Sequence, residues 1–330
     1  MVLKKPNPHK SAAEAEVVFR RRLLTWYRTH KRDLPWRADR DPYRVWLSEI
    51  MLQQTRVGAV LDHYRRFLQR FPTVGKLARA RESSVLAAWS GLGYYRRARM
   101  LHAAAKKVVR DHAGKFPDTV EGLWALPGVG RYTAAAIASI AIDRPAAVVD
   151  GNVARVLRRL LGNGLQGEKL WQEAERLLDR NHPGDFNQAL MELGATVCLP
   201  RQPLCLACPL VELCATRGES PGTKRDGRQN KREVAYLLDC RNGSVFLVRR
   251  PEDASLMPGM WELPEVPDQT GSRDPWLTLR HSITVTDYTV RVLRGPSPRG
   301  RSGRWVSRDR VNQLPLTGLA RKVLRAANII

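Results

Sequence analysis

The stretch at residues 126–134, which reads LPGVGRYTA, restricts the fold more than any other part of the chain. It lies between two segments whose apolar residues follow helical spacing, so it predicts a tight turn between helices. Gly128 and Gly130 let the backbone turn sharply, and bare N–H groups at the start of the next helix can then approach a phosphate. Val129 is expected to pack between the helices. A Gly-x-Gly turn can also join helices without binding anything, so the neighbouring sequence decides its meaning.

Helical spacing continues on both sides of this turn, from residue 12 to about residue 213. The predicted helices lie at residues 15–30, 43–56, 61–71, 83–90, 95–113, 133–141, 152–161, 169–181 and 186–197. Few β-type alternations interrupt them, so this region is predicted to be all-α.

The character of the sequence changes after residue 217. Residues 218–232 are rich in Gly, Pro, Lys and Arg and carry no periodicity, which predicts an exposed linker. Short β-branched runs around the Asn242-Gly243 turn, and further runs at 278–293 and 303–306, predict strands, and residues 316–328 predict a final helix. We therefore predict a helical region at 1–217 and an α+β domain at 233–330.

Length and charge restrict the class of protein. The chain has 330 residues, 43% of them hydrophobic, which is enough for two domains with ordinary cores. Its 56 Lys and Arg against 32 Asp and Glu give a net charge of +24, which attracts polyanions. The excess can instead serve solubility or reflect an arginine-rich genome. No stretch approaches a membrane span, and residues 1–10 lack the apolar core of a signal peptide, so we expect a soluble intracellular protein.

Four of the five cysteines form one cluster, spaced C-x6-C-x2-C-x5-C: Cys198, Cys205, Cys208 and Cys214. Thiols of an intracellular protein are expected to be reduced. The uneven spacing, with a single C-x2-C and only His182 nearby, suits an iron–sulfur cluster better than a zinc site. A zinc site and a chance gathering of buried thiols remain alternatives. Cys240 lies in an apolar run and is predicted to be a core residue.

Residues 148–153 read VVDGNV and follow the Gly-x-Gly turn by one helix, before the cysteine cluster. The turn, the aspartate and the cysteines in this order resemble the helix-hairpin-helix DNA glycosylases that carry an iron–sulfur cluster. The resemblance covers about residues 23–214. It implies a six-helix barrel and a cluster domain with DNA across the cleft between them, a [4Fe–4S] cluster on the four cysteines, and DNA contacts at Gly128, Val129 and Gly130.

Other stretches resemble the adenine DNA glycosylases of the MutY type within that superfamily. They read LPWR at 34–37, WLSEIMLQQT at 46–55 and GLGYY at 91–95, and the aspartate motif reads VDGNV. Where bifunctional members carry a lysine that forms a Schiff base, this chain has Tyr132, which implies weak or absent lyase activity. The resemblance thus implies a monofunctional glycosylase of base excision repair that acts on adenine opposite 8-oxoguanine or guanine.

The chemistry of that reaction assigns opposite duties to two carboxyl groups. Hydrolysis of a purine N-glycosidic bond needs an acid that protonates the leaving base and a negative charge that stabilises an oxocarbenium-like sugar. We predict that Glu49, in an apolar helical setting, has a raised pKa and donates the proton. Asp150 is predicted to stay ionised and to stabilise or attack the anomeric carbon. By position alone Asp150 would be a helix N-cap, and the two roles can coexist.

The resemblance implies further roles, residue by residue. Tyr132 and Asn152 match positions that orient Asp150 and the attacking water. Arg37 and Glu192 match positions that contact the adenine once it has left the helix. Gln54 and Tyr94 match positions whose side chains enter the gap that the adenine leaves in the base stack. Thr55 and Leu92 match positions that lie against the opposing base. Without these neighbours, Tyr94 would be interpreted as a core aromatic and Gln54 as part of a solvated face.

The C-terminal region resembles the Nudix-like domain of adenine glycosylases in VRRP at 248–251 and LMPGMWELP at 256–264. No glutamate-rich helix of the kind that holds magnesium in Nudix hydrolases follows, so we predict lesion reading rather than nucleotide hydrolysis. The family reads 8-oxoguanine through a Phe-Ser-His turn. Aligning His281 with the histidine before that turn gives Ile-Thr-Val at those positions. This departure implies either weaker selectivity for 8-oxoguanine or a lesion read by Ser282, Thr284 or Thr286, of which Ser282 and Thr284 are the candidate lesion-reading residues.

The predicted partner is double-stranded DNA with A:8-oxoG or A:G mispairs, bound by a monomer in the nucleoid-associated cytoplasm of a bacterium. A mismatch thymine or uracil glycosylase on the same scaffold is the alternative function. Two further hypotheses are a DNA-binding protein with a relic site and a Nudix phosphohydrolase. The presence of both Glu49 and Asp150 disfavours the first, and the lack of a metal-binding helix disfavours the second.

Overall fold

The computed structural model describes residues 11–162, 164–217, 230–266, 274–283, 286–297 and 302–330. The helices, in chain order, are α1 (Ala12–His30), α2 (Pro42–Leu52), α3 (Val57–Arg70), α4 (Val74–Ala78), α5 (Glu82–Trp89), α6 (Arg96–Asp111), α7 (Val120–Trp124), α8 (Arg131–Ile142), α9 (Gly151–Leu161), α10 (Gly167–Leu177), α11 (Pro183–Thr196), α12 (Arg308–Val311) and α13 (Gly318–Ala326). The strands are β1 (Asn230–Leu238), β2 (Cys240–Arg241), β3 (Ser244–Arg249), β4 (Trp261–Glu262), β5 (Glu265–Val266), β6 (Leu277–Ile283), β7 (Thr286–Arg294) and β8 (Arg304–Ser307).

Among the described residues, helices occupy the chain up to α11 and the strands all lie at residue 230 or beyond, as the sequence predicts. Contacts between Cα atoms divide the chain into two compact units. The first unit combines Met1–Val57 with Ala104–Thr223, and the second combines Gly58–Ala103 with Lys224–Ile330. No helix in the described ranges has the length and apolar character needed to cross a membrane.

Local capping chemistry sets the helix starts of the first unit. Ser11 and Glu14 form a reciprocal capping box at the start of α1. Asp41 accepts a hydrogen bond from the Tyr43 N–H, and α2 then begins with a proline at its first position. Asp150 caps α9 in the same way. Because a cap fixes where a helix begins, it also fixes which residues lie on its first turn.

A large apolar core packs helices of the first unit together. Helix α11 lies against α1, α8 and α9, and α2 lies against α8. Phe19 of α1 meets Phe186 of α11 edge to face, with ring centroids 5.8 Å apart, while Leu157 and Leu190 are fully buried nearby. Each such side chain contributes roughly 1.5–3 kcal/mol by leaving water. The core therefore fixes the spacing between the helices that carry the candidate site.

The crossing of α9 and α11 is unusually close because α11 carries Gly194 there. A Cβ atom at this position would lie only 2.6 Å from the Cβ of Asn152 and 3.1 Å from its carbonyl oxygen. Real Cβ atoms essentially never approach a neighbour so closely. Gly194 thus lets α11 reach the first turn of α9, where two of the predicted catalytic residues lie.

The second unit contains two four-stranded sheets. One has the order β5-β1-β7-β6, in which β1 runs parallel to β7 and antiparallel to β5. In the other, β3 pairs with β2, β4 and β8, antiparallel in each case. Leu247 of β3 and Val290 of β7 are fully buried in a core that also takes Leu316 and Val323.

Helices α3 to α5 and the first half of α6 belong to the second unit because hydrogen bonds join them to its C-terminal part. The Leu316 carbonyl accepts from the Ser90 hydroxyl at 2.9 Å and from the Tyr95 hydroxyl at 2.8 Å. The Arg99 guanidinium donates to the Pro258 carbonyl at 2.7 Å. Apolar periodicity shows that a helix face is covered, but it does not show which segment covers it.

Two expectations need correction. Strand β1 begins at Asn230, inside the predicted linker, because residues 230–232 pair with β7; residues 218–229 lie outside the described part of the chain. Cys240 is exposed on the two-residue strand β2 and is not a core residue. The apolar run around it belongs to strands, which send alternate side chains to opposite faces.

Replacing Gly194 with Ala should destabilise the protein by about 1–3 kcal/mol, because the new Cβ would collide with Asn152 across the α9–α11 contact. Urea denaturation followed by circular dichroism measures this. Gly58→Ala is the matched control: it lies in α3, and a Cβ there meets nothing within 4 Å. The control should be neutral or stabilising by up to about 1 kcal/mol, the difference in helix propensity. Equal stability of both variants would contradict the close contact.

Candidate active site

One cavity of the first unit, about 560 Å³ in volume, contains all the predicted catalytic and adenine-contacting residues. This size is typical of pockets that take small organic groups. Its lining includes eight residues singled out in the sequence: Arg37, Glu49, Gln54, Thr55, Tyr132, Asp150, Asn152 and Glu192. They come from residues 37–55, which include the end of a short 3-10 helix, α2 and the turn after it, from the starts of α8 and α9, and from α11. Four segments that are distant in the sequence thus meet at a single pocket.

Glu49 is a buried carboxyl group on α2, and 7% of the residue's surface is exposed. The Tyr132 hydroxyl donates a hydrogen bond to its Oε2 at 2.7 Å. Burial raises the pKa of Glu49 to about 7, against the smaller lowering by the Tyr132 hydrogen bond, and the neighbouring Asp150 charge raises it further. At neutral pH the group can therefore both hold and release a proton, which suits a general acid.

Tyr132 lies at the start of α8, directly after the Gly-x-Gly turn. Its hydroxyl contacts Glu49 and the Met191 sulfur, the latter at 3.2 Å. Burial raises the pKa of Tyr132 well above its ordinary value, so the phenol stays protonated and acts as a donor. The resemblance predicts that Tyr132 orients Asp150. The Tyr132 hydroxyl lies on Glu49, and the hydrogen bonds of the described residues include none from it to Asp150. Its role toward Asp150 and the attacking water stays a prediction.

Asp150 is the N-cap of α9, as its position alone predicts. Its Oδ1 accepts from the Val153 N–H at 2.7 Å and its Oδ2 from the Asn152 side-chain amide at 3.2 Å. Burial raises the pKa of Asp150 overall, and the hydrogen bonds from Val153 and Asn152 oppose that rise without cancelling it. The cap also aims the carboxylate along the start of α9, into the same cavity as Glu49.

Arg155 is a site residue that the sequence analysis missed. Its Nη2 donates to the Asn152 Oδ1 at 2.8 Å and to the Gly194 carbonyl at 2.7 Å. Its Nε donates to the carbonyl oxygen of Cys198 at 2.8 Å. Arg155 therefore connects the first turn of α9 to the first cysteine of the cluster. Its spacing of three residues from Asn152 on one helix was the available signal.

Glu192 is almost fully buried on α11, yet its pKa behaves differently from that of Glu49. Arg32 binds its two carboxylate oxygens at 2.6 and 2.9 Å, and Arg37 binds Oε2 at 2.8 Å. Burial raises the pKa of Glu192, but the hydrogen bonds from the two arginines outweigh it and lower the pKa overall. The pocket thus holds one firmly ionised carboxylate and one that is readily protonated. Arg32 is a second residue that the sequence analysis missed.

The predicted DNA-contact residues fall in both units. In the first unit, Gln54 is exposed beside the cavity with a left-handed φ of 55°, and Thr55 follows it. In the second unit, Tyr94 has a φ of 47° and is 48% exposed, so it is not a core aromatic. Leu92 is buried, with 6% of its surface exposed.

The Gly-x-Gly turn has the predicted form. Gly128 adopts a φ of 73°, a left-handed conformation that a side chain would strain. Val129 is 5% exposed and packs inward, and Gly130 is the N-cap of α8 without a side-chain hydrogen bond. The first N–H groups of α8 are thus left for a ligand such as a phosphate.

All four clustered cysteines line one small cavity with Arg159. Arg159 is 5% exposed, and its guanidinium donates to the Cys198 sulfur at 3.3 Å and to the Leu199 carbonyl at 2.7 Å. Within the described residues, no group of three or more Cys, His, Asp or Glu is arranged to hold a metal ion. The donor set itself, four thiols around one cavity beside a buried cation, fits a thiolate-bound cluster.

The candidate lesion-reading residues lie in the second unit. Ser282 is on β6, and its exposed hydroxyl donates to Asp287 Oδ1 on β7 at 2.5 Å. Thr284 lies outside the described residues. Their role therefore stays a prediction.

Comparison with known proteins places these features in a family. Residues 47–180 match the family described as HhH-GPD superfamily base excision DNA repair protein. The chain is 53% identical over 312 residues to "Adenine DNA glycosylase" of Mus musculus, a match that covers 75% of this chain and 60% of that protein. It is 37% identical over 259 residues to "Adenine DNA glycosylase" of Buchnera aphidicola subsp. Acyrthosiphon pisum, covering 75% of this chain and 74% of the relative. The chain thus spans less than two thirds of the mouse relative's length.

A solved structure described as a thermostable thymine-DNA glycosylase is also similar. Its TM-score is 0.60 at 33% identity, and the match covers 63% of this chain and 99% of the other. The helix-hairpin-helix glycosylase fold predicted for the helical region is thereby confirmed. The α+β character of the C-terminal region is observed, while its Nudix-like assignment stays a prediction.

Replacing Glu49 with Gln should stabilise the protein at neutral and alkaline pH. The folded-state pKa of about 7 lies above the ordinary value of 4.5, so the folded state binds more protons than the unfolded state between these values. Wild-type stability then falls as pH rises through this window. Because Gln does not ionise, the gain in free energy of unfolding should grow from pH 4.5 to 7, reach about 3 kcal/mol at most, and stay constant above.

Urea denaturation of both proteins at a series of pH values measures this gain. Glu168→Gln is the control, because Glu168 is exposed and its hydrogen bond from Arg131 lowers its pKa. That variant should show no stabilisation that grows with pH. A gain for Glu49→Gln that is the same at every pH would show that the carboxyl group is not protonated in the folded state.

Proposed function

We infer that this chain, which belongs to the adenine DNA glycosylase family, hydrolyses the N-glycosidic bond of adenine in DNA and so starts base excision repair. The observation that carries the proposal is the pairing of Glu49 and Asp150 over one cavity. Glu49 has a pKa of about 7 and accepts one hydrogen bond, from Tyr132. Burial raises the pKa of Asp150 as well, but the hydrogen bonds from Val153 and Asn152 oppose that rise. This is the division of labour that glycoside hydrolysis requires.

The reaction follows from these two groups. Glu49 gives its proton to the adenine ring, the bond from C1′ to the base nitrogen breaks, and its electron pair leaves with the now neutral base. The positive charge left on the sugar is stabilised by the Asp150 carboxylate. Water then adds at C1′ and loses a proton to a carboxylate of the site. Tyr132 holds Glu49 in place, and Asn152 holds Asp150.

Recognition of the base is assigned to further residues that line the same cavity. Glu192 and Arg37 lie there, and the Gln188 side chain accepts from Arg37 Nε at 3.2 Å. Carboxylate and amide oxygens accept hydrogen bonds from an exocyclic amino group such as that of adenine. We propose that a flipped adenine meets these groups, while Gln54, Thr55, Leu92 and Tyr94 contact the opened duplex.

The proposed substrate is adenine opposite 8-oxoguanine or guanine, in double-stranded DNA bound by a monomer at a bacterial nucleoid. Ser282 and Thr284 are the proposed readers of the opposing lesion. Tyr132 has a phenol where a Schiff base would require an amine, so excision should proceed without strand cleavage. The Nudix-like role proposed for the C-terminal region is recognition, not hydrolysis of nucleotides.

A second candidate function is excision of thymine or uracil from mismatches with guanine. One observation favours it: the thymine-DNA glycosylase structure aligns with this chain over 99% of its own length at 33% identity. The Mus musculus and Buchnera relatives named adenine DNA glycosylase are similar over a larger share of this chain, 75% against 63%. The match to the thymine-DNA glycosylase structure includes nearly all of that protein but leaves more than a third of this chain without a counterpart.

We also propose that Cys198, Cys205, Cys208 and Cys214 bind a [4Fe–4S] cluster. Each cysteine of such a cluster binds a different iron, so the sulfurs surround a cavity instead of converging on one ion. All four line a common cavity. When bound, the cluster would fix the loop between the cysteines, and Arg155 would pass that constraint to Asn152.

The function is tested by single-turnover base release from duplexes with A:8-oxoG, A:G, T:G and U:G pairs. We expect release of adenine from the first two, and a rate that falls about tenfold per pH unit above pH 7, as Glu49 loses its proton. Glu49→Gln should lower the rate by about 10²–10⁴-fold with little change in mispair affinity. Glu168→Gln is again the control. Release of thymine or uracil with intact adenine would favour the second candidate.

The cofactor is tested by metal and sulfide analysis of anaerobically purified protein. We expect iron and acid-labile sulfide in equal amounts, about four of each per chain. Cys205→Ser should lower both, and Cys240→Ser, which changes an exposed cysteine outside the cluster, should leave them unchanged. One zinc per chain without sulfide would establish the zinc alternative instead.

A further inference from the structure

A second basic cavity lies wholly within the second unit, between α3 and α13, and has a volume of about 410 Å³. A water molecule in the liquid occupies about 30 Å³, so the cavity can hold a polyatomic ion with part of its hydration shell. The cavity is lined by His63, Arg66 and Arg70 from α3, by Ala87, Ala88 and Ser90, by Asn312, by Arg321 and Arg325 from α13, and by Ile330. None of these residues takes part in the chemistry proposed above.

The four arginines of this cavity carry no acidic partner. None lies within ion-pair distance of a carboxylate among the described residues. Their recorded contacts are neutral: Arg66 donates to the Asp62 carbonyl, Arg70 stacks over the Phe71 ring, and Arg321 donates to the Ser90 hydroxyl at 3.0 Å. Elsewhere in the chain, arginines such as Arg131 and Arg250 are paired with glutamates. Like charge has thus accumulated here without compensation.

The arrangement of the arginines has a regular geometry. Residues 63, 66 and 70 recur at three- and four-residue spacing, which places them on one face of α3, and residues 321 and 325 do the same on α13. Burial lowers the pKa of Arg321, and the charges of Arg325 and Arg66 add to this effect while Tyr95 opposes it. Two facing rows of guanidinium groups offer planar, multidentate donors, the geometry that phosphate oxygens accept best.

We propose that the cavity between α3 and α13 binds phosphate groups. The backbone of bound DNA is the favoured source, because Ser90 lines the cavity and begins the turn that carries Leu92 and Tyr94. That part of the inference rests on the proposed function. A small phosphate compound is the other source of the same chemistry. Phosphate binding at this cavity does not itself depend on base-excision activity.

The test compares two double variants of the full-length chain. Arg66→Ala/Arg325→Ala removes one cation from each wall of the cavity. Arg65→Ala/Lys322→Ala removes the same charge from the same two helices, at exposed positions that do not line the cavity. Arg66 and Arg325 are exposed as well, so both proteins should fold. The milder Arg66→Gln/Arg325→Gln serves if the first variant has a lowered Tm without ligand.

Two measurements separate the sources, and neither depends on catalysis. The first is the affinity for a fully paired duplex as a function of salt, where each lost phosphate contact lowers the slope of log Kd against log salt by about 0.9. The second is the rise in Tm that pyrophosphate produces without DNA. We expect the cavity variant alone to lose about one to two units of salt slope and the pyrophosphate effect.

If the cavity variant loses the pyrophosphate effect but keeps the salt slope of duplex binding, the cavity binds phosphate and its ligand is a small phosphate compound. Loss of slope alone, in the cavity variant only, would assign it to DNA. If the two double variants behave alike in both measurements, the cavity is merely part of a general basic surface and the proposal is wrong. Base-release rates on A:8-oxoG duplexes, measured in parallel, report separately on the proposed function.

Discussion

The burial of one carboxyl group, that of Glu49, is the constraint on which the site depends. A carboxyl group in water would be ionised at neutral pH and could not donate a proton to a base. Packing of α2 against α8 removes the water, and the Tyr132 hydroxyl supplies a single neutral donor in its place. One neutral hydrogen bond satisfies the group without stabilising its charge enough to offset burial.

The pKa of Glu192 shows how different partners change the acidity of the same type of side chain. It is buried at least as deeply as Glu49, but two guanidinium groups bind it, and its pKa falls. The hydrogen bonds from the two guanidinium groups therefore account for the lowered pKa of Glu192. An arginine in place of Tyr132 would put a guanidinium group beside Glu49, as at Glu192, and the Glu49 carboxyl group would then be ionised at neutral pH.

Residues that lie in contiguous motifs could be predicted from the sequence, as could the change from helices to strands. Glu49, Asp150 and Tyr132 reach the cavity because short stretches around them match a known pattern. Arg32 and Arg155 escaped prediction because their partners lie far along the chain, 160 residues away for Glu192 and 43 for Cys198. Cys240 was misjudged because an apolar run does not reveal which strand face a residue takes.

The close contact at Gly194 has a consequence for how such a pocket can change over evolutionary time. With no side chain between them, α9 and α11 cannot slide or separate without opening a void, so Asp150 and Glu192 behave as parts of one rigid body. The group that stabilises the sugar and the group that meets the base are then fixed at one spacing. Acceptance of a larger or smaller base must come from exchanging side chains along the pocket wall, because the frame that holds them cannot be widened.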